Sequence, residues 1–205
     1  GPVSVARAAL RAGVDWVQIR DKAGPARDIF DAAKGIIPDA RRAGAGVLVN
    51  DRLDVAMASG ADGVHLAGKS LPPETARALL GEAPLLGISV HGLGEAREAV
   101  EAGVDYVTFG HVYPTSSKPG LPPRGVVELA EIVESVDVPV LAVGGIDAGN
   151  VCEVLRTGCA GVAVISAIGD ARNPETETRR FREALDGSGL SPRHPFTRPK
   201  QGGRP

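Results

Sequence analysis

The amino-acid sequence predicts an α/β fold of the (β/α)8 TIM-barrel class, and three observations predict it. Short β-branched runs alternate with Ala/Glu/Arg/Leu segments of helical period. Most of those runs are apolar on both faces, as expected of parallel strands covered by helices. A weak internal repeat, GVDWV (13–17), GADGV (60–64), GVDYV (103–107) and GCAGV (158–162), marks four places where a helix ends and a strand follows. The glycine that opens each copy suits the left-handed position just past a helix.

Taken in order, the expected strands are WVQIR (16–20), GVLVN (46–50), GVHL (63–66), LLGISV (85–90), YVTFG (106–110), VPVLAVGG (138–145) and GVAVIS (161–166). Each repeat interval holds two strand–helix units, so four quarters make eight strands. Seven are present. The first quarter opens with a helix at about 3–12, so the expected barrel has its first strand missing from the chain. Residues 1–185 form the expected single domain. The segment 186–205, DGSGLSPRHPFTRPKQGGRP, has no apolar periodicity and is expected to be a disordered tail. His194 falls there and is assigned no catalytic role.

Composition excludes several function classes. With 43% hydrophobic and 23% charged residues and a formal net charge of -2, the chain offers no electrostatic case for nucleic acid or an acidic membrane surface. No run is apolar for anything near ~18 residues, which argues against a membrane span. Cys152 and Cys159 would stand roughly 10 Å apart on one helix, too far for a disulfide. A reducing cytoplasm is the expected compartment. A homo-oligomer is compatible with the barrel class.

In such a barrel, function gathers at the C-terminal strand ends. Those ends supply Gln18, Arg20 and Lys22, then Asn50, Asp51 and Arg52, then His65, then Ser89 and His91. His111 follows with Thr115, Ser117 and Lys118, then Gly144 and Gly145, and finally Ile165 and Ser166. Gln18, Arg20, Lys22, Asn50, Ser89, Thr115 and Lys118 are the candidate substrate-binding residues. Gly144, Gly145, Ile165 and Ser166 are the candidate phosphate site, because glycines admit an anion close to the backbone and N–H groups at a helix start donate to it. The expected ligand is a small phosphate ester. Asp51 is a lone carboxylate that could equally pair with Arg20 or Arg52, so no metal site and no cofactor are expected. His65 reads as a hydrogen-bonded wall residue, and His91 as a loop residue or a substrate contact.

The blocks QIRDK, NDRLDVA, GADGVHL, GISVH, DYVTFGHVYPTSSKPG, PVLAVGGI and GVAVISAI resemble, in order and spacing, the superfamily of thiamine-phosphate synthase and thiazole tautomerase. The resemblance spans residues 5 to 185. The synthase couples a pyrimidine methyl diphosphate with a thiazole phosphate using magnesium. The tautomerase aromatises a carboxylated dihydrothiazole phosphate and needs no metal. Synthases carry a pattern like HLGQ-x-D whose Asp helps hold magnesium, where this chain has Gly68 and Ser70. Synthases carry Gly-Pro where this chain has Gly110-His111, and FGHV looks like the tautomerase.

The resemblance therefore implies, as the first expectation, a thiazole tautomerase with a thiazole phosphate substrate. His111 would be the catalytic group that takes and returns a proton, and Arg20 or Lys22 would bind the substrate carboxylate. The alternative is a magnesium-dependent thiamine-phosphate synthase, a transferase with Asp51 on the metal. A non-catalytic phosphate-ligand-binding regulatory protein and a phosphosugar isomerase are weaker alternatives.

Overall fold

The computed structural model describes residues 1–198. The elements alternate as α1 (Pro2–Arg11), β1 (Trp16–Ile19), α2 (Ala26–Ala43), β2 (Gly46–Asn50), α3 (Leu53–Ser59), β3 (Gly63–Leu66), α4 (Pro73–Leu80) and β4 (Leu85–Val90). They continue as α5 (Leu93–Glu101), β5 (Tyr106–Gly110), α6 (Gly125–Ser135), β6 (Val140–Val143), α7 (Val151–Leu155), β7 (Gly161–Ala163), α8 (Ser166–Gly169) and α9 (Pro174–Gly187). The seven strands are all parallel and lie in the order β1-β2-β3-β4-β5-β6-β7, which matches a TIM-like barrel. Among the described residues no strand bridges β1 and β7.

Helical period and strand alternation meet in the core. On α2, Ile29, Ala33, Ile36, Ile37 and Ala40 fall on one stripe and are all buried. They pack over β2, whose Val47 and Val49 are also buried. Full burial of each such Ile or Val is worth about 1.5–3 kcal/mol relative to exposure.

The internal repeat has a structural meaning. Its glycines, Gly13, Gly60, Gly103 and Gly158, all take left-handed φ, between 73° and 89°. In two copies the following aspartate reaches sideways to the preceding strand. Asp62 accepts from the N–H of Val47 at 2.8 Å, and Asp105 accepts from that of Leu86 at 2.7 Å. Each satisfies a strand N–H at the start of its neighbour. Arginines then neutralise them, Arg198 on Asp62 and Arg77 on Asp105.

Three strands are shorter than expected, the first of them ending at Ile19 rather than Arg20. The sixth ends at Val143 because Gly144 and Gly145 turn at positive φ, and the seventh ends at Ala163 before the chain coils into α8. Cys152 lies on α7 but Cys159 follows its end, and both are free thiols.

The segment from 186 does not behave as the expected disordered tail up to Arg198. After α9 ends at Gly187, Arg193 N–H donates to Gly158 O at 2.9 Å and Arg198 pairs with Asp62. Phe196 inserts between Trp16 and Tyr106, with ring centroids 4.8 and 4.5 Å away. Trp16 and Tyr106 open their strands, so this segment closes the N-terminal mouth of the barrel. One aromatic and one arginine hold it, and neither leaves a periodic signature. The rest of the expected tail, 199–205, lies outside the described residues.

Candidate active site

Strand pairing decides which side chains meet. Asn50 aligns with His65, His65 with Gly87 and Gly87 with Tyr106, so these positions share the inner face of the barrel. One layer nearer the C-terminal rim, Ser89 aligns with Thr108. Gly87 is the place where the row has no side chain. A Cβ there would stand 2.0 Å from Tyr106 Cζ, so the tyrosine lies across the barrel only because residue 87 is glycine.

These residues form one buried polar cluster. His65 is 3% exposed, with Nδ1 3.0 Å from the Tyr106 hydroxyl and Nε2 2.9 Å from Ser89 Oγ. Thr108 Oγ1 donates to Ser89 Oγ at 3.1 Å. Burial pushes the His65 imidazole down to about 4; the Asp51 charge opposes this and the Arg20 charge adds to it. The ring is therefore neutral at pH 7. Burial also pushes the Tyr106 phenol up, so it stays protonated. His65 thus matches its expected role as a bonded wall residue. Tyr106 and Thr108 are additions that the sequence reading missed, although the alternation of YVTFG places both on one face.

A second chain of hydrogen bonds runs along the rim. Gln18 Nε2 donates to Asn50 Oδ1 at 2.9 Å, and Asn50 Nδ2 donates to Asp51 Oδ2 at 2.6 Å. Ser70 Oγ donates to Asp51 Oδ1 while accepting from Ala67 N–H at 2.7 Å. Asp51 itself sits at φ 60°, a left-handed turn that aims its carboxylate away from the strand path. Arg52 takes Asp54 as its partner, with Nε 2.9 Å from Oδ1, and among the described residues the exposed Asp51 has no ion-pair partner. Arg20 and Lys22 are exposed at the end of β1. Between them and the next turn, Asp21 accepts from the N–H groups of Ala23 and Gly24 at 3.0 and 2.8 Å. Those two bonds hold its carboxyl below the usual range and shape the loop.

The opposite part of the rim is the loop 111–125. Lys118 is half-buried and its Nζ lies 2.8 Å from His91 Nε2, while Lys118 N–H donates to Thr115 O at 3.2 Å. His91, His111, Lys118, Leu121 and Arg124 line a cleft of about 310 Å³. His111 is only 6% exposed, and its Nε2 donates to the Leu121 carbonyl at 3.2 Å. Its own carbonyl accepts from Arg124 N–H at 3.0 Å. The histidine thus ties the two ends of its loop together.

Gly144 and Gly145 lie under that loop. A Cβ on Gly144 would stand 2.3 Å from His111 Cβ, and one on Gly145 would stand 2.5 Å from Pro114 O. The glycine pair is therefore required by loop packing. Ile165 and Ser166 are exposed at the start of α8. Among the described residues no group of three or more His, Cys, Asp or Glu side chains gathers to hold a metal, and no helix is long and apolar enough to cross a membrane.

A family model described as thiamine monophosphate synthase matches residues 2–168. The chain belongs to that family. A thiamine-phosphate synthase of Roseiflexus sp. (strain RS-1) is 44% identical over 182 residues, covering 88% of this chain and 77% of the relative. One from Salinibacter ruber (strain DSM 13855 / M31) is 43% identical over 184 residues, covering 89% and 81%. Among solved structures, a thiamine phosphate pyrophosphorylase from Pyrococcus furiosus superposes with a TM-score of 0.85 at 38% identity, covering 91% of this chain and 90% of that one. A 3-hexulose-6-phosphate synthase, at 18% identity and a TM-score of 0.64, shares the fold.

These relatives overturn the first expectation of a thiazole tautomerase, an isomerase. Over most of the chain the similarity is to synthases, which are transferases. The expectation had rested on His111 and Ser70, two single positions among seven blocks that both family members share. The geometry supplies a physical account of the first. An imidazole whose Nε2 is committed to a loop carbonyl inside a packed loop has a structural task of its own.

Proposed function

We propose that this chain is a thiamine-phosphate synthase, joining a pyrimidine methyl diphosphate to a thiazole phosphate with release of diphosphate. The observation that carries this reading is a rim with exposed or half-buried cations and donors on facing parts, Arg20, Lys22 and Asn50 on one and Thr115 and Lys118 on the loop 111–125 opposite. Together with Ser89 these would take one anion between them, and the turn of Gly144 and Gly145 with Ile165 and Ser166 would take the other. Two phosphorylated substrates need two such places. The 43–44% identity to synthases supports the same reading.

The chemistry agrees with what the side chains offer. Transfer breaks the bond between the pyrimidine methylene carbon and the diphosphate oxygen, which leaves with its electron pair. The lone pair of the thiazole ring nitrogen forms the new C–N bond. No proton moves at the reacting atoms, so the site calls for cations and hydrogen-bond donors around a leaving anion. It does not call for a general base. Arg20, Lys22 and Lys118 would stabilise the departing diphosphate, and the glycine turn would hold the thiazole phosphate so that its ring nitrogen faces the methylene carbon.

Magnesium fits this residue set. Asp51 offers an exposed carboxylate fixed from both sides by Asn50 and Ser70. Magnesium is commonly held by one or two carboxylates together with substrate phosphates, so Asp51 with diphosphate oxygens satisfies the requirement. When bound, the ion would neutralise charge on the leaving group. Incubating the chain with both substrates and magnesium should yield thiamine phosphate and diphosphate, with the yield abolished by a chelator. Asp51→Asn keeps the side-chain shape and removes the charge, and should lower kcat by about 10²-fold or more. Absence of any coupled product in the unaltered chain would refute the assignment.

A further inference from the structure

The buried cluster behind Ser89 fixes the direction of every hydrogen bond in it. The Tyr106 hydroxyl is buried and protonated, and among the described residues its hydrogen-bond partner is His65 Nδ1 at 3.0 Å. The phenol therefore donates, and Nδ1 accepts. A neutral imidazole that accepts at Nδ1 carries its hydrogen on Nε2. That hydrogen points at Ser89 Oγ, 2.9 Å away. Thr108 Oγ1 lies 3.4 Å from the same Nε2, which has no lone pair left to offer, so the threonine hydrogen goes to Ser89 Oγ at 3.1 Å. Both lone pairs of the serine oxygen are then occupied. Its own hydrogen is left for a partner outside the cluster, at a half-buried position next to the last residue of β4.

We infer that His65, Tyr106 and Thr108 are positioning residues that make the Ser89 hydroxyl a dedicated donor to the anion bound at the rim. The inference rests on the synthase reading for the identity of that anion, a diphosphate. A free serine hydroxyl donates or accepts with equal ease. This one recognises acceptor oxygens only, and a ligand presenting an N–H or O–H at that place would meet a filled oxygen. The arrangement also assigns a role to Gly87, which leaves room for the tyrosine, and to Phe196, whose ring lies 4.5 Å from the tyrosine ring on the floor side.

The test is calorimetric titration of the full chain with inorganic diphosphate in the presence of magnesium. Ser89→Ala should weaken binding about 10-fold, as expected for loss of a hydrogen bond to a charged group. His65→Leu should weaken it by a similar factor, and Ser89→Ala/His65→Leu should be no weaker than Ser89→Ala alone, because both changes remove the same bond. His65→Gln, whose amide N–H replaces the imidazole donor, should stay within about 3-fold of the unaltered chain. A structural role alone would lower the melting temperature of both His65 variants and multiply with Ser89→Ala, and that outcome overturns the inference. Should His65→Leu fail to fold, Tyr106→Phe serves. Without the phenol the imidazole hydrogen can move to Nδ1, Nε2 then draws the serine hydrogen inward, and binding should fall several-fold; unchanged binding overturns the inference. Diphosphate binding that is tight in the unaltered chain and equal in His65→Leu refutes the positioning role alone, whereas no binding by the unaltered chain refutes the synthase reading with it.

Discussion

At the floor of the barrel, Trp16, Phe196 and Tyr106 stack ring on ring, and the charges nearby, Asp62 and Arg198, are matched in a pair. At the rim, the same strands end in Arg20, Lys22 and Asp51, all exposed, and in glycine turns that present bare backbone. Between the two ends lies the His65 cluster, which shares Tyr106 with the aromatic layer and has it in the same register row as His65. The floor pairs Asp62 with Arg198 and leaves His194 Nε2 buried without a partner among the described residues, while the rim carries exposed charges, Arg20, Lys22 and Asp51, beside its own hydrogen-bonded chain. Stability and binding are thus held at opposite ends of one set of strands, and the cluster is the place where they touch.

Acidification should break this separation most strongly. His65 has its pKa lowered to about 4 in the folded chain against about 6.5 when unfolded. Between those values the unfolded chain binds a proton that the folded chain refuses, so the contribution of His65 to stability is constant above pH 6.5 and is lost as pH falls from 6.5 toward 4. The loss from this residue amounts to about 3 kcal/mol over that window. Urea denaturation of the unaltered chain and of His65→Gln at pH 7 and pH 4.5 measures it, and the variant should show the smaller drop. An equal drop in both would move the acid-sensitive group elsewhere.

Phe196→Ala probes the floor. Removing a core phenylalanine costs about 3–5 kcal/mol, and because this ring is half-buried a loss of about 2–3 kcal/mol is expected, read from the same denaturation curves. Its effect on KM should be small if floor and rim are separate. A large rise in KM with little loss of stability would show instead that the floor acts on the site through Tyr106.

Lys118→Ala is the converse experiment and the smallest in energy. Substitutions away from the core usually stay within about 0.5 kcal/mol of stability, so its melting should scarcely change. The KM for the diphosphate substrate should rise about 10-fold, since a charge-assisted contact is lost. A change in stability larger than that in binding would make Lys118 part of the loop scaffold, through its contact with His91.

Much of the fold was legible in the sequence because its signals are local. Runs such as GVLVN and YVTFG are mostly apolar and β-rich, and the repeated glycine marks each return from helix to strand. The rim was legible by the same logic, since polar residues just past such runs fall at strand ends. Three features were not. Phe196 packs into the floor from a segment of tail-like composition, and nothing nearby in sequence announces its partners. His111 looked like a catalyst because it ends a strand, whereas its loop bonds depend on Leu121 and Arg124 folding back over it. Gln18 and Asn50 were picked as separate ligands, but their bond to each other and on to Asp51 follows from strand register.

The seat of Phe196 also sets an order of events. Trp16 lies in β1 and Phe196 beyond α9, so their contact joins segments far apart in the chain. Chains emerge from the ribosome N-terminus first, at about 5–20 residues per second. The strands and helices can pair as they appear, yet Trp16 and Tyr106 stay wet until the late segment arrives. The barrel is therefore sealed from below as one of the last acts of folding, and a nascent chain short of that segment would expose an aromatic face for chaperones to recognise.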